Sequence, residues 1–188
     1  MKHKLSTLLA LVVLTMALAA TGARAQTVAN GPYYANPSWD QTLPSSTRFI
    51  VLSNMNNAAV LDRETGLVWE RDPVSAHPFS VSGTWANATG ICPQLDTGGR
   101  KGWRLPSVHE LGSLIDPSVA SGLLALPAGH PFLNIAAATY WSATASAQFP
   151  TAVAYRYSFR GGENAPQDLQ SQSNRIWCVR GGGPIAVY

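Results

Sequence analysis

Cys92 and Cys178 are the side chains best suited to covalent chemistry in this 188-residue sequence, because a pair of thiols can act as a redox couple, a metal clamp or a structural bridge. No Cys-x-x-Cys surrounds either one. Beyond residue 25 the histidines are His77, His109 and His130, with neither zinc-ligand spacing nor a His-Glu-x-x-His helix. Ser107 and His109 bring together the group types of a nucleophile and its base. Residues two apart on a helix do not face each other, however, and Ser107 with Glu110 spells a capping box that accounts for both. The residues thus predict no enzyme, no metal centre and no cofactor, with a calcium requirement left open.

The compartment bears on what the cysteines do. Lys2, His3 and Lys4 precede an apolar run from Leu8 to Ala20, and Ala23-Arg24-Ala25 offers a small-x-small cleavage site, the pattern of a secretory signal over residues 1–25. The run is shorter than the roughly 20 residues a membrane-spanning helix needs, so cleavage is expected, and no later segment reads as a span. A secreted or periplasmic product follows. In that oxidising setting an even cysteine count favours a Cys92–Cys178 disulfide over two buried free thiols. Such a bridge would close a loop of about 87 residues, worth on the order of 4 kcal/mol in the chain-entropy account. The formal charge of +3 includes Lys2, Lys4 and Arg24; removing these three from the 13 basic residues leaves ten against ten acidic ones. No basic footprint for nucleic acid remains.

The elements that would position these groups are short. Residues 26–57 read as an extended lead-in, rich in Pro, Asn, Ser and Tyr, that ends in a first strand. Strand-like runs span Arg48 to Ser53, Ala58 to Leu61 and Leu67 to Glu70, separated by turn-forming Asn, Asp and Gly residues. A helix is predicted from an N-cap at Thr84 towards Cys92, with Trp85, Ala88 and Cys92 on its buried face. A second begins at Ser107 and runs to Asp116-Pro117, with Val108, Leu111, Leu114 and Ile115 as its apolar stripe. Later strands are expected at Tyr140 to Ser142, at Val153 to Phe159 by alternation, and at Arg175 to Arg180, which ends at Gly181-Gly182-Gly183 with residues 183–188 as a tail. Helices early and strands late predict an α+β domain in which two helices pack on short antiparallel strands.

Four segments resemble the Lcl C-terminal domain family. Asp62-Arg63-Glu64-Thr65-Gly66-Leu67-Val68-Trp69 is similar to its opening D-x-x-T-G-L-x-W, and Trp103-Arg104-Leu105-Pro106 with Glu110 to its central W-R-L-P-t-x-x-E-L. Tyr140-Trp141-Ser142-Ala143-Thr144 resembles Y-W-S-S-T, and Cys178-Val179-Arg180-Gly181 the closing C-V-R-G. The segments follow the family's order and outline a domain over residues 58–182. The resemblance implies a C-type-lectin-like fold, related to formylglycine-generating enzymes, with a helix cysteine bridged to the last strand. Gly102 departs from the family's Asp before Trp103, and the lectin calcium signatures Glu-Pro-Asn and Trp-Asn-Asp are absent.

The motif residues read as structural. Asp62, Thr65 and Gly66 suit a turn, Arg104 can satisfy carbonyls with its planar fork, and Trp69, Trp85, Trp103, Trp141 and Trp177 are expected in the core. A working thiol pair for formylglycine chemistry is not expected, because Cys92 and Cys178 are assigned to the scaffold. Binding is expected on the polar, turn-prone segments Ala143 to Pro150 and Gly161 to Asn174. Nearby Tyr155, Arg156, Tyr157, Arg160 and Arg175 would offer aromatic and cationic contacts to a glycan or a protein ligand. The collagen-like adhesin that names the family points to adhesion. An envelope or appendage subunit, or a diversified lectin-like display receptor, are the alternatives.

Overall fold

Turn signals after residue 48 resolve into two small sheets, seen in a computed structural model that describes residues 43–77, 81–161 and 167–182. Helix α1 (Ser45–Arg48) leads into β1 (Phe49–Val51), β2 (Ala59–Asp62) and β3 (Val68–Glu70). Then come α2 (Pro73–Ala76), β4 (Ser82–Gly83), α3 (Trp85–Ile91), β5 (Trp103–Arg104) and α4 (Val108–Gly112). The remaining strands are β6 (Thr139–Ala145), β7 (Val153–Ser158), β8 (Gln167–Leu169), β9 (Asn174–Arg175) and β10 (Val179–Arg180). One sheet has the order β1-β2-β3-β10-β5 with every pair antiparallel. The other runs β4-β9-β6-β7-β8, antiparallel except where β6 and β9 meet at Tyr140 and Arg175. This is the expected mixed architecture of few helices and mainly antiparallel strands. The expected signal sequence, the expected lead-in up to residue 42, residues 162–166 and the tail 183–188 lie outside the described residues.

Local signals place the helix starts well. Thr84 caps α3 by accepting from Asn87 N, and Cys92 opens a 3-10 turn directly after it. Ser107 and Glu110 form the full capping box of α4. That helix stops at Gly112 and does not reach Asp116, because Leu114 N and Ile115 N bond three residues back, to Leu111 O and Gly112 O, and tighten the chain into turns. Arg48 belongs to helical turn α1 and not to the first strand, since Thr47 N and Arg48 N both donate to Pro44 O. Helix α2 was not anticipated; Asp72 caps it, accepting from Val74 N and Ser75 N ahead of Pro73. The expected strand at Tyr140 to Ser142 is the middle of the longer β6.

The largest difference lies at the end of the domain. The run Arg175 to Arg180 is not one strand: β9 belongs to one sheet, β10 to the other, and Ile176-Trp177-Cys178 crosses between them. Extended backbone alternates its side chains, so Trp177 enters one core cluster while Ile176 and Cys178 enter a second. In the first, Trp177 meets Phe132, Trp69 and Phe159 at ring centroid distances of 5.0, 5.2 and 5.6 Å. In the second, Trp103, Trp141 and Leu105 surround the Cys92–Cys178 disulfide, whose Cα atoms are 5.6 Å apart across a sequence separation of 86. Trp69, Trp103, Trp141 and Trp177 are buried; Trp85 is half-buried and donates its indole N–H to Ser142 O at 2.8 Å. On β7 the buried residues are Ala154 and Ser158, while Tyr155 and Tyr157, expected on its buried face, are half-buried.

Denatured without reductant, the protein is expected to show no titratable thiol, and replacing both cysteines by Ala should lower stability by about 4 kcal/mol in urea unfolding. Two titratable thiols would contradict the bridge.

Candidate functional site

Each family-like motif turns out to fasten one element to another. Arg104 lies on β5 and Glu110 three residues after the cap of α4; their side chains form a two-pronged pair, Nη1 to Oε2 at 2.8 Å and Nη2 to Oε1 at 2.6 Å. Glu110 is buried, and its Oε2 also accepts from Ser107 N at 2.7 Å, so the spacing from Arg to Glu serves a cap and an ion pair together. Arg104 Nη2 reaches Gly181 O at 2.9 Å, and Arg180 Nε reaches Lys101 O at 2.7 Å. Leu105 and Pro106 are buried behind this pair, and Ala143 N donates to Pro106 O. Gly102 holds φ 88°, a conformation that an Asp side chain adopts only with strain, so Gly suits this version of the turn.

Asp62 organises the opening motif. Its Oδ1 accepts from Arg48 Nε at 2.9 Å and Glu64 N at 3.0 Å, and its Oδ2 from Arg48 Nη2 at 2.8 Å and Thr65 Oγ1 at 3.0 Å. Gly66 follows with φ 70°, closing the turn. Arg48 is itself buried, pairs with Glu64 Oε2 at 3.2 Å and donates to Ser113 O at 2.7 Å. In the third motif Ser142 Oγ donates to Tyr155 O, Trp141 Nε1 donates to Gly83 O, and Thr144 Oγ1 accepts from Val108 N.

The most concentrated chemistry went unread in the sequence. Glu70 and His77 are buried side by side, with Oε2 and Nε2 3.0 Å apart, and His77 Nε2 lies 3.6 Å from Cys178 Sγ. Glu70 Oε2 also accepts from Cys178 N at 2.9 Å, and Oε1 from Thr97 Oγ1 at 3.2 Å. Nothing local in the sequence marks this pair: Glu70 directly follows the buried Trp69 on β3, where alternation alone would turn it to the other face, and its partner is seven residues away across α2.

The five proposed ligand contacts do not form one patch. Arg156 and Asp168 pair at 3.3 Å on the side of β7 that carries Ala154, whereas Tyr155 and Tyr157 project from the opposite side. Tyr157 packs beside Gly112, and burial pushes its phenol up. Arg160 is exposed beyond the end of β7, and Arg175 is half-buried on β9, close enough to the Tyr140 phenol for its charge to oppose the upward push of burial there. Clefts open among the described residues. One, of about 600 Å³, is lined by Leu43, Arg48, Gly112, Ile115, Pro127 and Tyr157. Another, of about 460 Å³, is lined by Arg71, Asp72, Asp96, Thr97 and Leu133 among others, and its Thr97 is the residue bonded to Glu70. Burial raises the Asp72 carboxyl there, but hydrogen bonds from Ser75, Asn134 and Val74 outweigh it and hold it below its ordinary value.

Two mainly antiparallel sheets, few helices and a carboxyl-terminal crossing bridged to Cys92 define a disulfide-linked mixed α/β domain. The Lcl C-terminal domain model matches residues 58–180, more than half of the chain, and the protein belongs to that family. No curated protein matches the sequence.

Replacing Arg48 by Met removes the partner of a buried carboxylate, and urea unfolding should register a loss of about 3–5 kcal/mol. A loss below about 1 kcal/mol would show that Asp62 holds the turn without Arg48.

Proposed function

We propose that this protein is a secreted or periplasmic binding module, without catalytic activity, that presents the β6–β7 turn and neighbouring β8 to a protein or glycan ligand. The observation that carries this reading is a pair of large apolar side chains at that corner, Phe149 and Leu169, each 52% exposed. They stand on a braced support: Gln170 N donates to Ala152 O at 2.8 Å, Gln170 Nε2 to Pro150 O at 2.9 Å, and Leu169 lies opposite Val153. Exposed apolar groups on a rigid turn are what a recognition surface uses, and the Arg156–Asp168 pair on the adjoining strands supplies charge beside them. A C-type-lectin-like fold, which the family resemblance suggests, fits a loop-bearing binding role.

The non-enzymatic part of the reading rests on where reactive groups are spent. Ser107 Oγ accepts from Glu110 N in the cap, Glu110 is paired with Arg104, and Glu70 with His77. The buried disulfide supports an oxidising compartment. An assembly subunit of an envelope or appendage is the second reading, favoured by the same apolar pair if its partner is a protein of that assembly.

On a glycan and matrix-protein array, run with calcium and again with chelator, the oxidised protein is expected to give a saturable hit. Converting Phe149 and Leu169 to Ser should weaken that hit by more than about tenfold while leaving the melting temperature unchanged. A blank array would contradict the adhesive reading, and undiminished binding by the double variant would place the contact elsewhere.

A further inference from the structure

The Glu70–His77–Cys178 cluster is more than a hydrogen-bonded pair beside a bridge. Three ligand atoms of different side chains, Glu70 Oε2, His77 Nε2 and Cys178 Sγ, lie within 4.8 Å of one another in a fully buried site. A fourth, Cys92 Sγ, is bonded to Cys178 Sγ at 2.02 Å. Both Glu70 oxygens accept hydrogen bonds, from Cys178 N and Thr97 Oγ1, and one further hydrogen bond joins Oε2 to His77 Nε2. Oxygen, nitrogen and sulfur therefore converge on one point in the core. A tetrahedral zinc ion with bonds of about 2.0 Å to nitrogen and oxygen and 2.3 Å to sulfur needs N···S near 3.6 Å and N···O near 3.3 Å. The observed separations are 3.6 Å for N···S and 3.0 Å for N···O, and the three atoms lie within 4.8 Å of one another, so closing on one ion draws the Glu70 oxygen towards the sulfur.

We propose that Cys92, Cys178, His77 and Glu70 form a zinc site when the bridge is open, so that the disulfide and a thiophilic divalent cation are alternative fillings of one point in the core. The chemistry balances as follows. A dithiol reductant supplies two electrons and two protons and closes to its own cyclic disulfide; the Cys92–Cys178 bond breaks to two thiols. Zinc then displaces both thiol protons to solvent, and the proton shared by Glu70 and His77 passes to His77 Nδ1, so that a neutral imidazole binds through Nε2. The two sulfurs separate to about 3.8 Å, the spacing of two thiolates on one tetrahedral ion. The smaller cleft borders the site through Thr97, the residue bonded to Glu70, and its lining also includes Asp72 and Asp96. The inference does not depend on the proposed binding function, since it concerns the core and not the β6–β7 corner.

Cobalt(II) added to the dithiol-reduced protein is the test. One equivalent is expected to give the visible bands of a tetrahedral site with thiolate-to-cobalt charge transfer, to be displaced by zinc, and to restore the near-ultraviolet circular dichroism of the buried tryptophans if reduction has weakened it. His77→Ala should weaken zinc binding by at least about tenfold, and Glu70→Gln by a smaller factor. The oxidised protein should bind neither ion at this site. Absence of the bands, binding that leaves the tryptophan signal of a loosened chain unrestored, or equal affinity in the His77 variant would each overturn the proposal, the last by showing that the two thiols act alone.

Discussion

The crossing of Ile176-Trp177-Cys178 from one sheet to the other is the constraint on which the rest of the structure depends. A strand that changes sheets leaves its backbone groups without a ladder, and here residue Glu70 supplies the replacements. Glu70 N donates to Cys178 O at 3.2 Å, Glu70 Oε2 accepts from Cys178 N at 2.9 Å, and Glu70 O accepts from the Trp177 indole at 2.9 Å. The Cys92 bridge then ties the same residue to the end of α3. Because the crossing separates the two core clusters, holding it still fixes both.

Charge is used in this protein mainly to join elements. Buried ion pairs add little net stability over well-packed apolar groups, since desolvation opposes their attraction, but they penalise any arrangement that leaves one member alone. Arg48 with Asp62 and Glu64 ties helix α1 to the β2–β3 turn, and Arg104 with Glu110 ties β5 to α4. Specification of one register, not strength, is the account these pairs support. Arg48 lies ahead of residues 58–180, so helix α1 is anchored to the family domain through Asp62.

What the sequence made legible was local. The Thr84 and Ser107 caps, the buried stripe ending at Cys92 and the turn at Asp62 to Gly66 each depend on residues within a few positions of one another, and each is present. The switch of sheets inside Arg175 to Arg180 was not legible, because an alternating run looks the same whether it pairs on one sheet or two. The ligand candidates on β7 were chosen as neighbours in sequence, yet alternation sends Arg156 one way and Tyr155 and Tyr157 the other. Glu70 and His77 could not be paired from sequence at all. Their contact forms across α2, and the third member, Cys178, is more than a hundred residues further along.

Native-state hydrogen exchange at the Cys178 amide addresses the crossing most directly. If Glu70 and the bridge clamp this segment, that amide exchanges only through global unfolding in the oxidised protein, and Glu70→Gln brings its opening free energy below the global value. Exchange at Cys178 by local fraying in the unmodified oxidised protein, independent of denaturant, would contradict the view that the crossing holds the two cores together.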